Sequence, residues 1–106
     1  MIESALYTLL KTMGIPVAYD HFVETTDVET PAPPFILYRS DDAEQFKADN
    51  KVYYKRYEYI VDLVTTLKDT AKETALEKIF DDNEIPWEKA EDYIDTEKIF
   101  QIRYFI

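Results

Sequence analysis

The order helix, strands, helix, strands predicts an α+β fold, a mainly antiparallel mixed sheet of four to five strands with two helices packed on one face. Three observations carry this expectation. Apolar residues recur at three- and four-residue spacing in two separate windows, and period-two alternation marks segments between and after them. The links joining successive strands are too short to hold a crossover helix, so those strands should pair as hairpins. At 106 residues the chain is read as a single domain, 1–106.

The first helix is expected over 2–13, where Ile2, Ala5, Leu6, Leu9, Leu10 and Met13 form one apolar stripe. Gly14, the only glycine, stands where a helix C-cap would use it, and Pro16 forbids continuation. A short extended piece follows from Val17 to Phe22. The polar, proline-rich run VETTDVETPAPP at 23–34 reads as a loop, and FILYRS as a strand over 35–39. Ser40 to Asn50 is a connection, with room for a short strand around Phe46 and Lys47. A long strand is expected over 52–66. The second helix spans 69–83, capped by Asp69 or Thr70, with Ala71, Ala75, Leu76, Ile79 and Phe80 as its buried stripe. Asn83 is its expected C-cap. Strands over 87–93 and 98–105 close the chain, the latter alternating Phe100, Ile102, Tyr104 and Ile106 with Gln101 and Arg103.

Composition narrows function. Cysteine is absent, which removes disulfides, thiolate metal sites and thiol nucleophiles. Twelve basic residues against 22 acidic ones leave a formal charge of -10, a surface that repels phosphate backbones. No run approaches the roughly 18 apolar residues of a membrane helix, and the amino-terminal segment lacks the pattern of a secretion signal. The expected setting at synthesis is the cytoplasm, with no membrane partner.

Chemistry finds few candidates. The acidic doublets Asp41–Asp42 and Asp81–Asp82, and Asp92 with Asp95, invite a carboxylate-pair reading. Neighbouring residues on a strand or helix point apart, which favours solvated surface instead. DDAEQFKADN offers oxygens without the bend glycine or closing glutamate of a calcium loop. His21 is the only histidine; Ser4 and Ser40 are the only serines, and neither lies in a nucleophile-elbow motif. One glycine cannot build a phosphate-cradling loop. The expectation is no enzymatic activity, no metal and no cofactor.

The segment DNKVYYKRYEYIVDLVTT, 49–66, is the most distinctive. As a strand it places Tyr53, Lys55, Tyr57, Tyr59, Val61 and Leu63 on one face, which matures into core. The other face carries Tyr54, Arg56, Glu58, Ile60, Asp62 and Val64, charges of both signs interrupted by aliphatics. An ordinary sheet face, a protein interface and a stacking platform for single-stranded nucleic acid all remain open readings. With Phe46, this second face forms the candidate interface.

The runs IPVAYDHF, PPFILY, ADNKVYYKRYEY and IPWEKAEDYIDTEKIFQIRYF together resemble small tail-completion or head–tail connector proteins of tailed bacteriophages and of prophages of Gram-positive bacteria. The resemblance covers nearly the whole chain. It implies a tail-terminator-like fold and a structural, cofactor-free role in virion assembly. By that resemblance the chain would be a subunit of a homo-oligomeric, hexameric ring at the head-proximal end of the tail. Its partners would be copies of itself, the major tail tube protein and head–tail connector proteins. Residues 23–34 and 40–50 would be natural contacts for them. DNA would pass an acidic lumen without being gripped. The site of action would be the host cytoplasm during assembly, then the virion tail or neck. Two other functions compete: a soluble adaptor or assembly chaperone binding one phage protein, and a small metal-dependent hydrolase built on His21 and carboxylates.

Overall fold

A computed structural model describes residues 2–23, 30–41 and 58–106. Its elements follow the order α1 (Glu3–Lys11), β1 (Val17–Tyr19), β2 (Phe35–Ser40), β3 (Tyr59–Thr65), α2 (Thr70–Asp82), β4 (Glu88–Ile94) and β5 (Ile99–Phe105). Five strands form one sheet in the order β1-β2-β3-β5-β4. The fold is α+β, and the sheet is mixed: β1 runs parallel to β2, while β2–β3, β3–β5 and β4–β5 are antiparallel. Both expected hairpins form. The portion of the expected long strand at 52–57 lies outside the described residues.

Helix α1 ends as its sequence dictates. Gly14 takes φ 77, and its N–H donates to the Lys11 carbonyl at 3.1 Å. A Cβ at Gly14 would meet nothing within 4 Å, so glycine is favoured there by backbone conformation rather than space. Helix α2 starts at Asp69, whose carboxylate accepts from the Lys72 N–H at 3.1 Å. That bond satisfies one of the orphan donors of the first turn. At the other end the Asn83 side-chain amide donates to the Ile79 carbonyl at 2.8 Å. Both caps were legible from residue type.

Both helices lie on one sheet face. Leu6 and Leu10 of α1 and Leu76 and Phe80 of α2 share a buried cluster with Ile36, Tyr38, Val61, Leu63, Ile102 and Tyr104. The register explains the set, because Ile36, Leu63 and Ile102 align across three strands, as do Tyr38, Val61 and Tyr104. Phe80 meets Tyr104 edge-on at 5.7 Å between ring centroids, and Trp87 does so at 5.6 Å. Fully burying one such side chain contributes on the order of 1.5–3 kcal/mol.

The buried stripe of α2 differs from the expected one. Ala71 and Ala75 are exposed, while Glu73, Leu76 and Phe80 face inward. The helix is turned so that a carboxylate rather than a methyl reaches the sheet. Its cationic partners are Lys89 on β4 and Lys68 just before the helix.

Candidate interaction surfaces

On the face away from the helices, Leu37, Asp62 and Arg103 form one cross-strand row. Ile60 and Val64 flank that row on β3. They are 7% and 4% exposed, and Asp62 is 7% exposed. Arg103 donates from Nε to Asp62 Oδ1 at 2.8 Å and from its terminal nitrogen to Oδ2 at 3.2 Å. This fork satisfies the buried carboxylate and raises the already high Arg103 pKa through its bond to Asp62. Of the candidate interface, Ile60, Asp62 and Val64 thus lie together along one face of β3 but are already withdrawn from solvent within the single chain. Glu58 is exposed just before β3, and its N–H donates to the Ile106 carbonyl at 2.7 Å. Phe46, Tyr54 and Arg56 lie outside the described residues.

The helix face carries a charged network that residue-by-residue sequence reading passed over. Glu73, 4% exposed, lies between two lysines: Lys89 Nζ is 3.0 Å from Oε1, and Lys68 Nζ is 2.7 Å from Oε2. The second contact is a close ion pair in which the Lys68 ammonium answers the buried Oε2. Lys89 also donates to Glu77 at 2.8 Å, and Lys68 to Glu91. The buried Tyr104 hydroxyl donates to the same Glu77 oxygen at 2.7 Å. The chain of contacts ties α2 to β4 and β5. A signal was present: Glu73, Leu76, Glu77 and Phe80 follow helical i, i+3, i+4, i+7 spacing.

Burial pushes the Glu73 carboxyl up, but the Lys68 and Lys89 ammonium groups outweigh it, holding it below its ordinary value. The bond to Glu77 raises Lys89, and bonds to Glu73 and Glu91 raise Lys68. Burial, then the Glu77 acceptor, pushes the Tyr104 phenol far upward. Each shift moves its group away from neutrality. The network holds fixed charges and is poorly suited to trading protons near neutral pH.

A third region gathers tyrosines near β1. Tyr38 packs against Tyr19 at 5.1 Å and Tyr7 at 6.3 Å, and the last two are 41% and 40% exposed. Burial, followed by the nearby Glu3 charge, raises the phenols of Tyr38 and Tyr59. The Tyr19 hydroxyl lies 3.0 Å from Ser40 Oγ, so this serine is engaged by a phenol. His21 Nδ1 lies 3.0 Å from Asp20 Oδ2, with its side chain 70% exposed.

The acidic doublet on α2 separates in function. Asp81 accepts from Trp87 Nε1 at 2.9 Å, and Asp82 pairs with Lys78 at 3.0 Å. Asp95 lies 3.9 Å from Lys98. Asp42 is outside the described residues. Among the described residues no group of three or more His, Asp or Glu side chains converges as a metal site. None of their helices is long and apolar enough to cross a membrane.

Comparison with protein-family models, curated proteins and solved structures finds no match to this chain.

Proposed function

We propose that this chain is a structural virion assembly protein, acting in tail completion or head–tail joining as a subunit of a ring. The observation that carries the reading is the sequence resemblance over nearly the whole chain, above all PPFILY, ADNKVYYKRYEY and the acidic turn with YIDTEKIFQIRYF. PPFILY leads into β2 and YIDTEKIFQIRYF ends on β5, the two strands that flank β3, while residues 48–57 of the third segment lie outside the described residues. Among the described residues the sheet ends in two outer strands, β1 and β4, and a ring subunit needs surfaces of that kind for head-to-tail contacts. The formal charge of -10 suits a wall that DNA slides past.

Association must exceed the roughly 4–15 kcal/mol cost of lost rigid-body freedom, so ring closure on a tail or connector template is the expected route. The test is to delete the gene from its phage or prophage and image the products. DNA-filled capsids separate from tails, or tails of uncontrolled length, are the expected result. Normally joined virions would remove the assembly role.

A further inference from the structure

Tyrosines from four different elements gather on the helix side of the sheet. Register sets Tyr19 of β1 beside Tyr38 of β2, and Tyr59 of β3 beside Ser40, on the same face as the buried Ile36 and Leu63. Tyr7 joins them from α1 by packing on Tyr38. Tyr38 is buried and serves as a floor, whereas Tyr7 and Tyr19 pack on it and remain exposed. Tyr19 is fixed further, because its hydroxyl accepts from the Ser40 N–H at 3.1 Å and lies 3.0 Å from Ser40 Oγ. A group that stacks on a ring held in this way takes little side-chain freedom from the protein.

Charge decides what stacks there. Glu3 is exposed and stands four residues before Tyr7 on α1, on the same side of that helix. After burial, its charge is the next cause that raises the Tyr38 and Tyr59 phenols, so the carboxylate field covers the same group of rings. The face of a phenol ring is negative, and a carboxylate beside it adds to the attraction for a cation. An anionic ligand meets the opposite field, and an aliphatic one would desolvate Glu3 without answering it. Of the two side-chain cations, the guanidinium suits the arrangement. Its plane stacks on a ring while its N–H edge forks onto a carboxylate, whereas an ammonium is a compact, strongly hydrated point charge. The formal charge of -10 favours the approach of a basic protein and disfavours that of a second copy.

We infer that Tyr7, Tyr19 and Glu3 form a receptor for the guanidinium of an arginine carried by a different, basic protein. This holds independently of whether the chain joins a ring-shaped assembly.

The test titrates the full, isotope-labelled chain with N-acetyl-arginine methylamide, followed by NMR. The lysine counterpart and the neutral, near-isosteric citrulline counterpart are run beside it. Ring resonances of Tyr7 and Tyr19 and the Glu3 amide are expected to shift together with one Kd. Lysine should bind about threefold more weakly than arginine, and citrulline about tenfold. Tyr7→Leu should weaken arginine binding about threefold. Glu3→Gln, at an exposed position that leaves the fold intact, should do the same and keeps the test decisive if Tyr7→Leu unfolds. Asp95→Asn, in the turn at the opposite end of the sheet, should leave binding unchanged. Equal binding of the citrulline probe would overturn the proposal, because the cation would then not be read. Equal weakening by Asp95→Asn and Glu3→Gln would overturn it as well, since the acidic surface as a whole would explain the binding. Absence of shifts at Tyr7 and Tyr19 would do so too. If raising the protein's own concentration moves the same resonances, the occupant is a second copy and the proposal fails.

Discussion

β3 and β4 are both seven-residue strands of one sheet, yet one is buried along almost its whole length and the other is exposed along almost all of its own. β3 lies between β2 and β5 and reads YIVDLVT, so both its faces are largely aliphatic. Its single charge, Asp62, is answered by Arg103 on the neighbouring strand. β4 reads EKAEDYI and, among the described residues, is joined to the sheet by one ladder. Lys89 and Glu91 also tie it to α2 and the residue run before it through ion pairs. A central strand is specified by packing, whereas an edge strand can be held by backbone bonds and charge.

The largest effects should come from β3. Leu63 is fully buried, so Leu63→Ala should cost about 3 kcal/mol, read by denaturant unfolding. Ile60→Asp should cost at least about as much, since it places an unpaired carboxylate at a 7% exposed position. On strand parity alone, a charge at Tyr54 or Ile60 is expected to weaken assembly more than folding. Burial of Ile60 reverses that expectation. Ala90→Asp, at an exposed position of β4, should change stability by less than about 0.5 kcal/mol. If the β3 and β4 variants unfold alike, the contrast between the strands is wrong.

Arg103→Ala probes the one charge inside the buried strand. It leaves Asp62 without its fork, and the expected loss is about 2 kcal/mol. That figure lies below the value for fully buried pairs because the Arg103 side chain is 36% exposed. The double variant Asp62→Asn with Arg103→Ala should recover part of the loss. No recovery would mean that Arg103 acts through its packing over the sheet.

Much of the fold was legible in the sequence because its signals are local. Asp69 and Gly14 announce helix ends through side-chain capping and positive φ, and the alternation around Ile102 and Tyr104 sets a strand face. The orientation of α2 was not legible from hydropathy. Ala71 and Ala75 look apolar but contribute little area, while Glu73 enters the interior because Lys68 and Lys89 converge on it from positions distant in the chain. The parallel pairing of Val17–Tyr19 with β2 was equally hidden, since three residues carry no periodicity. For the candidate interface, strand parity placed Ile60, Asp62 and Val64 on one face. It could not show that neighbours already bury them, because burial belongs to the assembled sheet.

Glu73→Gln tests how charge holds the edge and should cost about 1 kcal/mol at neutral pH. The sign of its pH dependence follows from the depressed Glu73 pKa. A carboxyl held below its ordinary value of 4.5 contributes stability that is complete above that value. The contribution is lost as pH falls through the lower, folded pKa. The difference between the native chain and Glu73→Gln should therefore be constant from neutrality down to about pH 5 and shrink below 4.5. Urea unfolding of both proteins across that range measures it. A difference that grows in acid would mean that burial, rather than the lysines, dominates at Glu73.

The smallest effect is also the most local. Salt screens exposed ion pairs and leaves buried packing nearly untouched. The ties from β4 to the helix side use Lys68 and Lys89, whose side chains are 39% and 37% exposed, so they should weaken in salt. Amide exchange at the β4–β5 ladder should accelerate roughly threefold between about 0.05 and 1 M salt, through local opening of β4. Exchange at the β2–β3 ladder should stay within experimental error, because opening there requires unfolding the core around Val61 and Leu63. Lys89→Met would remove two of the ties while keeping a long aliphatic stem. Its β4 amides should exchange faster at low salt and respond less to added salt. Equal acceleration at both ladders would show that salt acts on the whole fold, and β4 would then be no more detachable than β3.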